Sequence, residues 1–405
     1  MLKRWLPLLL PCTLLLLLCG CWNRVEMNEI GIVSATAVDW IDDKWVVSYQ
    51  LVIPQAISSQ SGSSPRGEAP VNVFSSEGSS MRKAIGDASK EMSRKLYFSH
   101  NQIVVVSESA ARKGISTILE IYMRNADARE TVSMFITKGR AREMLEQLLP
   151  IEKIPGNAIQ RLIENEAKTN SLYPDMTIYR VLLDLLGPEQ ATGIPELMIA
   201  GSRQPLNSME ALKRTSNQAK IRLGDLAIIS GDQLKGWLSQ TEAAGLVWLS
   251  DNVNQMTLSF DCLGSAQEEN TSAARVVHAS VTRKPELLPD GRVKMRIEVK
   301  AKGTLLEYAC SDKKIAPTML QKMEWQIAEE IKGEMEQSWK ALQRLKTDIV
   351  GFGTTVYRHN PKRWKAMHEE WNENLDDVVL DVKVKFSLSR VGFSDRNFKE
   401  VQESL

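Results

Sequence analysis

The stretch Arg292-Val293-Lys294-Met295-Arg296-Ile297-Glu298-Val299-Lys300-Ala301-Lys302 decides the fold class. Its odd positions are apolar and its even positions are charged. A period of two places alternate side chains on opposite faces of a strand, so this is a half-buried strand with one face on a core and one in water. Downstream, Pro317 can open a helix, because its missing N–H is not needed in the first turn. Leu320, Met323, Ile327, Ile331, Met335, Trp339, Leu342 and Leu345 then follow at spacings of three and four, the stripe of a helix about eight turns long. Val378, Leu380, Val382, Val384, Phe386 and Leu388 alternate again. The expectation is a long helix on one face of an antiparallel sheet whose other face is solvated and charged.

Working back toward the N-terminus, 30–38 is apolar and β-branched, Asp42-Asp43 signals a turn, and Trp45, Val47, Tyr49, Leu51 and Ile53 alternate until Pro54. Two strands joined by a short turn follow from this. The Ser-, Gly- and Pro-rich stretch 58–70 reads as a surface loop. Met81, Ile85, Ala88, Met92 and Leu96 predict one helix. A strand at 103–106, a helix after Gly114, a strand at 131–137 and a helix at 140–148 continue an alternation of strands and helices. Two more helices at 159–167 and 177–186 are punctuated by Pro174, Gly187-Pro188, Gly193 and Pro195. The polar stretch 202–218 reads as a linker. An apolar run at 223–230, broken by Gly224-Asp225, a helix through Leu234, Leu238 and the alanine-glycine stretch to Gly245, and a strand through Met256, Leu258 and Phe260 form a small unit before a second linker at 264–274. The fold class is therefore α+β, with three domains, each carrying a mostly antiparallel or mixed sheet flanked by helices. Their bounds are 21–202, 219–264 and 273–405, the last being the long helix on an antiparallel sheet.

The 405 residues hold 51 Lys+Arg and 50 Asp+Glu, with 43% hydrophobic residues. That hydrophobic share is enough for packed cores and excludes wholesale disorder. The balanced charge argues against a nucleic-acid partner, which calls for a basic excess. One segment stands apart. Lys3 and Arg4 precede the largely apolar stretch 5–18, which is shorter than the ~20 residues of a membrane-spanning helix and holds Pro7 and Pro11. It reads as a signal peptide, 1–20. Leu18-Cys19-Gly20-Cys21 resembles the bacterial lipoprotein signal. That resemblance implies diacylglycerol on the Cys21 thiol and cleavage after Gly20, and two acyl chains suffice for stable anchoring. An ordinary cleaved signal and an uncleaved anchor are the alternatives. Loss of Lys3 and Arg4 leaves 49 basic residues against 50 acidic ones, so membrane attachment rests on the lipid and not on charge. Cys262 and Cys310 either pair or stay as buried thiols.

Templates for catalysis fail in turn. The four histidines, His100, His278, His359 and His368, include no pair at i and i+4, and no CxxC occurs. His368-Glu369-Glu370-Trp371 starts like a zincin motif and lacks the second histidine. Gly351-Phe352-Gly353 reads as a tight turn in preference to a phosphate loop, since no Gly-Lys-Ser/Thr follows it. Glu329-Glu330 and Asp376-Asp377 read as solvated pairs. His100 either orders a loop through its ring nitrogens or serves as a ligand or pH sensor. No cofactor is expected.

The stretch Cys21-Trp22-Asn23-Arg24-Val25-Glu26-Met27-Asn28-Glu29-Ile30-Gly31-Ile32-Val33 resembles the mature start of the spore germinant-receptor C subunits, the GerAC-type lipoproteins. Asn23 stands where that family usually has Asp. Ser99-His100, Ala110-Ala111-Arg112-Lys113-Gly114-Ile115, Arg124-Asn125-Ala126-Asp127-Ala128-Arg129 and Gly231-Asp232-Gln233-Leu234 with Gly236-Trp237-Leu238 are similar to it in the same order. The resemblance implies three α/β domains on the outer face of the spore inner membrane. It also implies a complex with membrane-spanning A and B receptor subunits that respond to nutrient germinants, and no enzymatic activity. With Cys21 lipidated, the short segment after it is expected to touch those partners through Trp22, Glu26, Asn28 and Glu29. The alternative is an extracytoplasmic lipoprotein that binds a small-molecule germinant or other solute itself, which needs a cleft with converging polar groups.

Overall fold

A hairpin opens the chain: β1 (Ile30–Ile41) and β2 (Lys44–Val52) pair antiparallel with Ile41 opposite Lys44. Asp42 and Asp43 both have positive φ, 48° and 58°, the geometry of a two-residue turn whose twist matches that of the strands. The computed structural model describes residues 26, 28–58, 69–125, 127–201, 206–213, 215–216, 219–261, 271–308 and 317–390. Cys21, Trp22, Cys262 and Cys310 lie outside them.

After α1 (Pro54–Ser58), β3 (Val71–Gly78) extends the hairpin antiparallel to β2. The helix expected to reach Leu96 ends early, as α2 (Met81–Asp87) followed by a 3-10 turn. Gly86 weakens the helix there, and the Ser89 hydroxyl donates to the Gly86 carbonyl at 2.7 Å. Leu96 instead enters β4 (Lys95–Tyr97), which runs parallel to the first residues of β1. Then come β5 (Ile103–Ser107), α3 (Glu108–Lys113), α4 (Ser116–Arg124), β6 (Ser133–Thr137), α5 (Ala141–Glu146), α6 (Pro155–Thr169), α7 (Ile178–Leu186) and β7 (Ala191–Gly201). All residues of β5 and β6 are buried, as expected of parallel strands covered on both faces. One core cluster lies under α2, α3, α4 and α7, and the other under α5 and α6.

Strand β7 was hidden by its Gly193 and Pro195. The ladder shifts register between Pro195 and Leu197, and β7 meets β6 only at Ile136 opposite Glu196. A strand tolerates the missing N–H of proline at such an irregularity. After α8 (Met209–Leu212), β8 (Ala219–Ser230) and β9 (Gln233–Leu238) complete a nine-stranded sheet, ordered β3-β2-β1-β5-β6-β7-β8-β9 with β4 beside β1. Leu234 and Leu238, expected in a helix, lie in β9 instead: Leu234, Gly236 and Leu238 are buried at a period of two, and the helix starts only after them.

Helix α9 (Gln240–Leu249) begins at a capping box, in which Ser239 and Glu242 bond each other's backbone N–H groups. Every residue from Ala243 to Leu249 is buried. A helix apolar on all sides must be covered on all sides, and α9 lies between the first sheet and the long helix α10 (Pro317–Arg344). The second sheet is β10 (Met256–Asp261), β11 (Thr271–Leu287), β12 (Val293–Glu307) and β13 (Val378–Arg390), in that order. Val293, Met295, Ile297, Val299 and Ala301 of β12 face the core. So do Met323, Ile327, Ile331, Met335, Trp339 and Leu342 of α10, as their spacing requires. Strand β13 is parallel to β12, so the sheet is mixed where alternation alone led to an antiparallel expectation. Parallel neighbours need a long crossover, which α10, α11 (Phe352–His359) and α12 (Pro361–Met367) provide. A single core cluster runs from Ala35 of β1 through α9 to β12 and α10.

Candidate functional site

Three of the residues expected at a partner contact come together where the chain enters β1. Glu26, Asn28 and Glu29 are all exposed. The Glu29 N–H donates to the Glu26 carbonyl at 3.0 Å, and the Glu26 N–H donates to the Glu29 carboxylate at 3.4 Å. The Lys95 N–H donates to the Glu29 carbonyl at 3.0 Å, which ties this turn to β4.

The segments that carried the family resemblance meet in pairs. Gly114 has φ 138°, and a Cβ there would lie 2.6 Å from Asp232 Oδ2. Asp232, in the turn between β8 and β9, accepts from the Ser116 N–H at 2.5 Å and the Ser116 hydroxyl at 3.0 Å, and its carbonyl accepts from the Ile115 N–H at 2.9 Å. It thus satisfies the free N–H groups that open α4. The Ser99 hydroxyl donates to the Asp127 carbonyl at 3.1 Å. Beside it, Asn101 Nδ2 donates to the Tyr122 hydroxyl at 2.8 Å and to Thr36 Oγ1 at 3.2 Å, and burial pushes Tyr122 up to about 12. His100 itself is exposed, with its ring tilted against Tyr97 at 5.9 Å between centroids.

Sequence reasoning missed the acidic joints, because nothing in their neighbours' periodicity marks them. Glu196, 4% exposed, accepts from the Asp225 N–H at 2.8 Å, and Lys138 bridges Glu196 and Asp225 at 3.3 and 2.5 Å over the Trp237 ring. The Gly224-Asp225 break is a packing requirement, since a Cβ at Gly224 would sit 2.4 Å from Glu196 Oε2. Asp348 resolves the Gly351-Phe352-Gly353 turn. Its carboxylate accepts the N–H groups of Gly351, Phe352 and Gly353 at 3.0, 3.0 and 2.7 Å, and Trp371 Nε1 at 2.8 Å. The protein's own carboxylate fills the place an external anion would take. Burial still pushes Asp348 up, against those four donors.

A cleft of about 880 Å³ opens between the two sheets. Its walls are the turn before α7, α7 itself, the start of β7, the end of α9, and Arg283, Ile349 and Val350. Arg283 donates to the carbonyls of Val350 at 2.9 Å and Leu249 at 3.4 Å. Arg180 donates to the Asp175 carbonyl at 3.0 Å. Thr192 donates to Asp184 at 2.7 Å, and burial pushes Asp184 up. The Tyr173 hydroxyl donates to the Gly224 carbonyl. This arrangement offers guanidinium and carboxylate groups around a partly apolar wall, suited to holding a polar solute. Among the described residues, no group of three His, Cys, Asp or Glu side chains is placed to hold a metal, and no helix is long and apolar enough to cross a membrane.

Comparison with known proteins covers nearly the whole chain. The family described as "Spore germination protein N-terminal domain" matches residues 23–198, and the one described as "Spore germination B3/ GerAC like, C-terminal" matches 224–392. Spore germination protein KC of Bacillus subtilis (strain 168) is 27% identical over 405 residues, 98% of each chain. Spore germination protein B3 of the same organism is 21% identical, over 94% of this chain and 96% of its own. The crystal structure of the GerBC protein superposes with a TM-score of 0.55 at 17% identity, over 88% of this chain and 97% of that one, which shows the shared fold.

Proposed function

The chain belongs to the GerAC family of spore germination proteins, the germinant-receptor C subunits, and from that premise we propose that it is a non-catalytic subunit anchored by lipid at Cys21. In this reading it sits on the outer face of the spore inner membrane and assembles with membrane-spanning A and B subunits. The observation that carries the reading is the family match over both halves, 23–198 and 224–392. The turn at Glu26, Asn28 and Glu29, together with Trp22, is its partner contact. The middle unit, 219–264, couples the other two: β8 and β9 extend the first sheet, and α9 packs on α10. Cys21→Ala is the test. The expected result is loss of lipid labelling, of membrane retention and of germination. A variant that still pellets with membranes and germinates normally refutes the reading.

The cleft between the sheets favours one second reading, direct capture of a small-molecule germinant or other solute. Calorimetry with amino acids and sugars separates the two. Saturable binding abolished by Arg283→Ala supports capture, whereas no heat change, with co-purification of the membrane subunits, supports the assembly role.

A further inference from the structure

The end of the first sheet where the chain enters β1 carries large apolar side chains that the fold leaves uncovered. Ile151, between α5 and α6, is 95% exposed; Met123, in the last turn of α4, is 61% exposed; Tyr179, in the first turn of α7, is 51% exposed. Backbone contacts put all three at one end. The Ile178 and Tyr179 N–H groups donate to the carbonyls of Val132 and Glu130, in the segment that leads from α4 into β6. The Ser133 N–H donates to the Gln102 carbonyl and the Gln102 N–H to that of Ser34, so β6, β5 and β1 are level at this edge. On the opposite face of the sheet, Gly156 lies against the Ser34 carbonyl, and Lys153 donates to the Ile57 carbonyl just past the end of β2. Ile151 precedes both. The uncovered residues therefore flank the start of β1 from both faces.

We propose that this end of the sheet is a membrane-facing surface, with Ile151, Met123 and Tyr179 seated at the lipid headgroup and acyl boundary. The proposal rests on lipidation of Cys21. Glu26 is five residue steps from Cys21, a reach of about 17 Å even when fully extended. An anchor that short holds this end, and no other, against the bilayer. Exposed charges around it are mixed: Arg94, Lys95 and Arg129 stand beside Glu26, Glu29 and Glu130. The attraction is accordingly apolar, and tyrosine, with an apolar ring and a polar tip, suits such a boundary.

The test uses the full chain, produced with its signal in a lipoprotein-processing host. A benzophenone amino acid replaces Met123, Ile151 or Tyr179 in turn, or Trp325 as a control. Trp325 is 58% exposed on α10, 20 residues and about 30 Å from Leu345, which touches Gly236 of β9. Membranes are irradiated, phospholipid adducts are measured by mass, and the modification of Cys21 is read in the same samples. The expected result is at least tenfold more phospholipid adduct at 123, 151 and 179 than at 325. Equal yields at all four positions, or adducts with protein alone at the first three, in a chain whose Cys21 carries diacylglycerol, overturn the proposal and leave the anchor standing. An unmodified Cys21 overturns the anchor, and this orientation with it.

Discussion

Raising the pH through 7 should loosen the joint between the two sheets, and Glu334 is the reason. It lies on α10 where that helix crosses α9, close enough that a Cβ on Gly245 would fall 2.0 Å from the Glu334 carbonyl oxygen. Its Oε2 and the neighbouring Trp248 Nε1 are buried without a hydrogen bond of ordinary geometry. Burial pushes the Glu334 carboxyl up to about 7, from 4.5; the Trp248 indole opposes this in part and the Glu330 charge adds to it. Between those two values the folded protein holds a proton that the unfolded chain has released. The stabilisation is therefore full below pH 4.5, falls as pH rises through the window and is gone above about 7. A shift of about 2.5 units at 1.36 kcal/mol each sets the loss at about 3 kcal/mol. Asp39, Asp184 and Asp348 are also raised by burial, while Asp87, Asp290 and Asp381 are lowered by cationic neighbours. The parent's pH profile is thus a sum, and the difference from Glu334→Gln isolates one group. Urea titrations of the chain from residue 22 onward, followed by tryptophan fluorescence from pH 5 to 8, should show the parent losing stability relative to the variant. By pH 8 the variant should be more stable by about 2–3 kcal/mol. If the two lose stability in parallel across that range, the burial argument for Glu334 is wrong.

Four further substitutions test other contacts of the fold. Asp348→Ala removes the acceptor of four buried donors and should cost about 3–5 kcal/mol, read as a lower urea midpoint at unchanged slope. Gly245→Ala must push α9 and α10 apart against main chain, a cost of about 3 kcal/mol, whereas Gly86→Ala, with open space around it, should be neutral or stabilising by the same assay. Lys385→Glu places an acid opposite Lys300 on the solvated face of the second sheet and should gain about 0.5 kcal/mol at low salt; a gain undiminished in 1 M salt would contradict the electrostatic origin.

Much of this architecture is legible in the sequence, for physical reasons that also mark where reading stops. Alternation at 293–301 and the stripe from Leu320 to Leu342 identify which face of a strand or helix is buried, and the structure buries those faces. Alternation says nothing about strand direction, so the parallel pairing of β12 with β13 had to come from the crossover between them. Leu96 fits a helical stripe by spacing, yet β1 needs a neighbour along its first three residues, and β4 supplies it. Pro195 and Gly193 look like breaks because a ladder defect is a property of two strands and not of one. The same holds for the candidate site. Glu26, Asn28 and Glu29 are proposed from their place shortly after Cys21, and the structure gathers them in one exposed turn, whereas Glu196, Asp232 and Asp348 acquire their roles only from residues brought to them by folding.

The family motifs and the exposed apolar residues of the first sheet divide into two kinds once their contacts are known. Gly114 with Asp232, and Ser99 with Asp127, join segments far apart in sequence, and Asp232 spends its carboxylate on the first turn of α4. Changes there act on folding, so a germination defect in Gly114→Ala is expected to come with a lower melting temperature. The turn at Glu26, Asn28 and Glu29 is exposed and joined to β4 through main-chain atoms, and Ile151, Met123 and Tyr179 are more than half exposed, so substituting these side chains leaves the core intact. A defect in Glu29→Lys or Ile151→Asp at an unchanged melting temperature therefore reports on what lies outside the chain. That contrast separates a loss of folding from a loss of an outside contact.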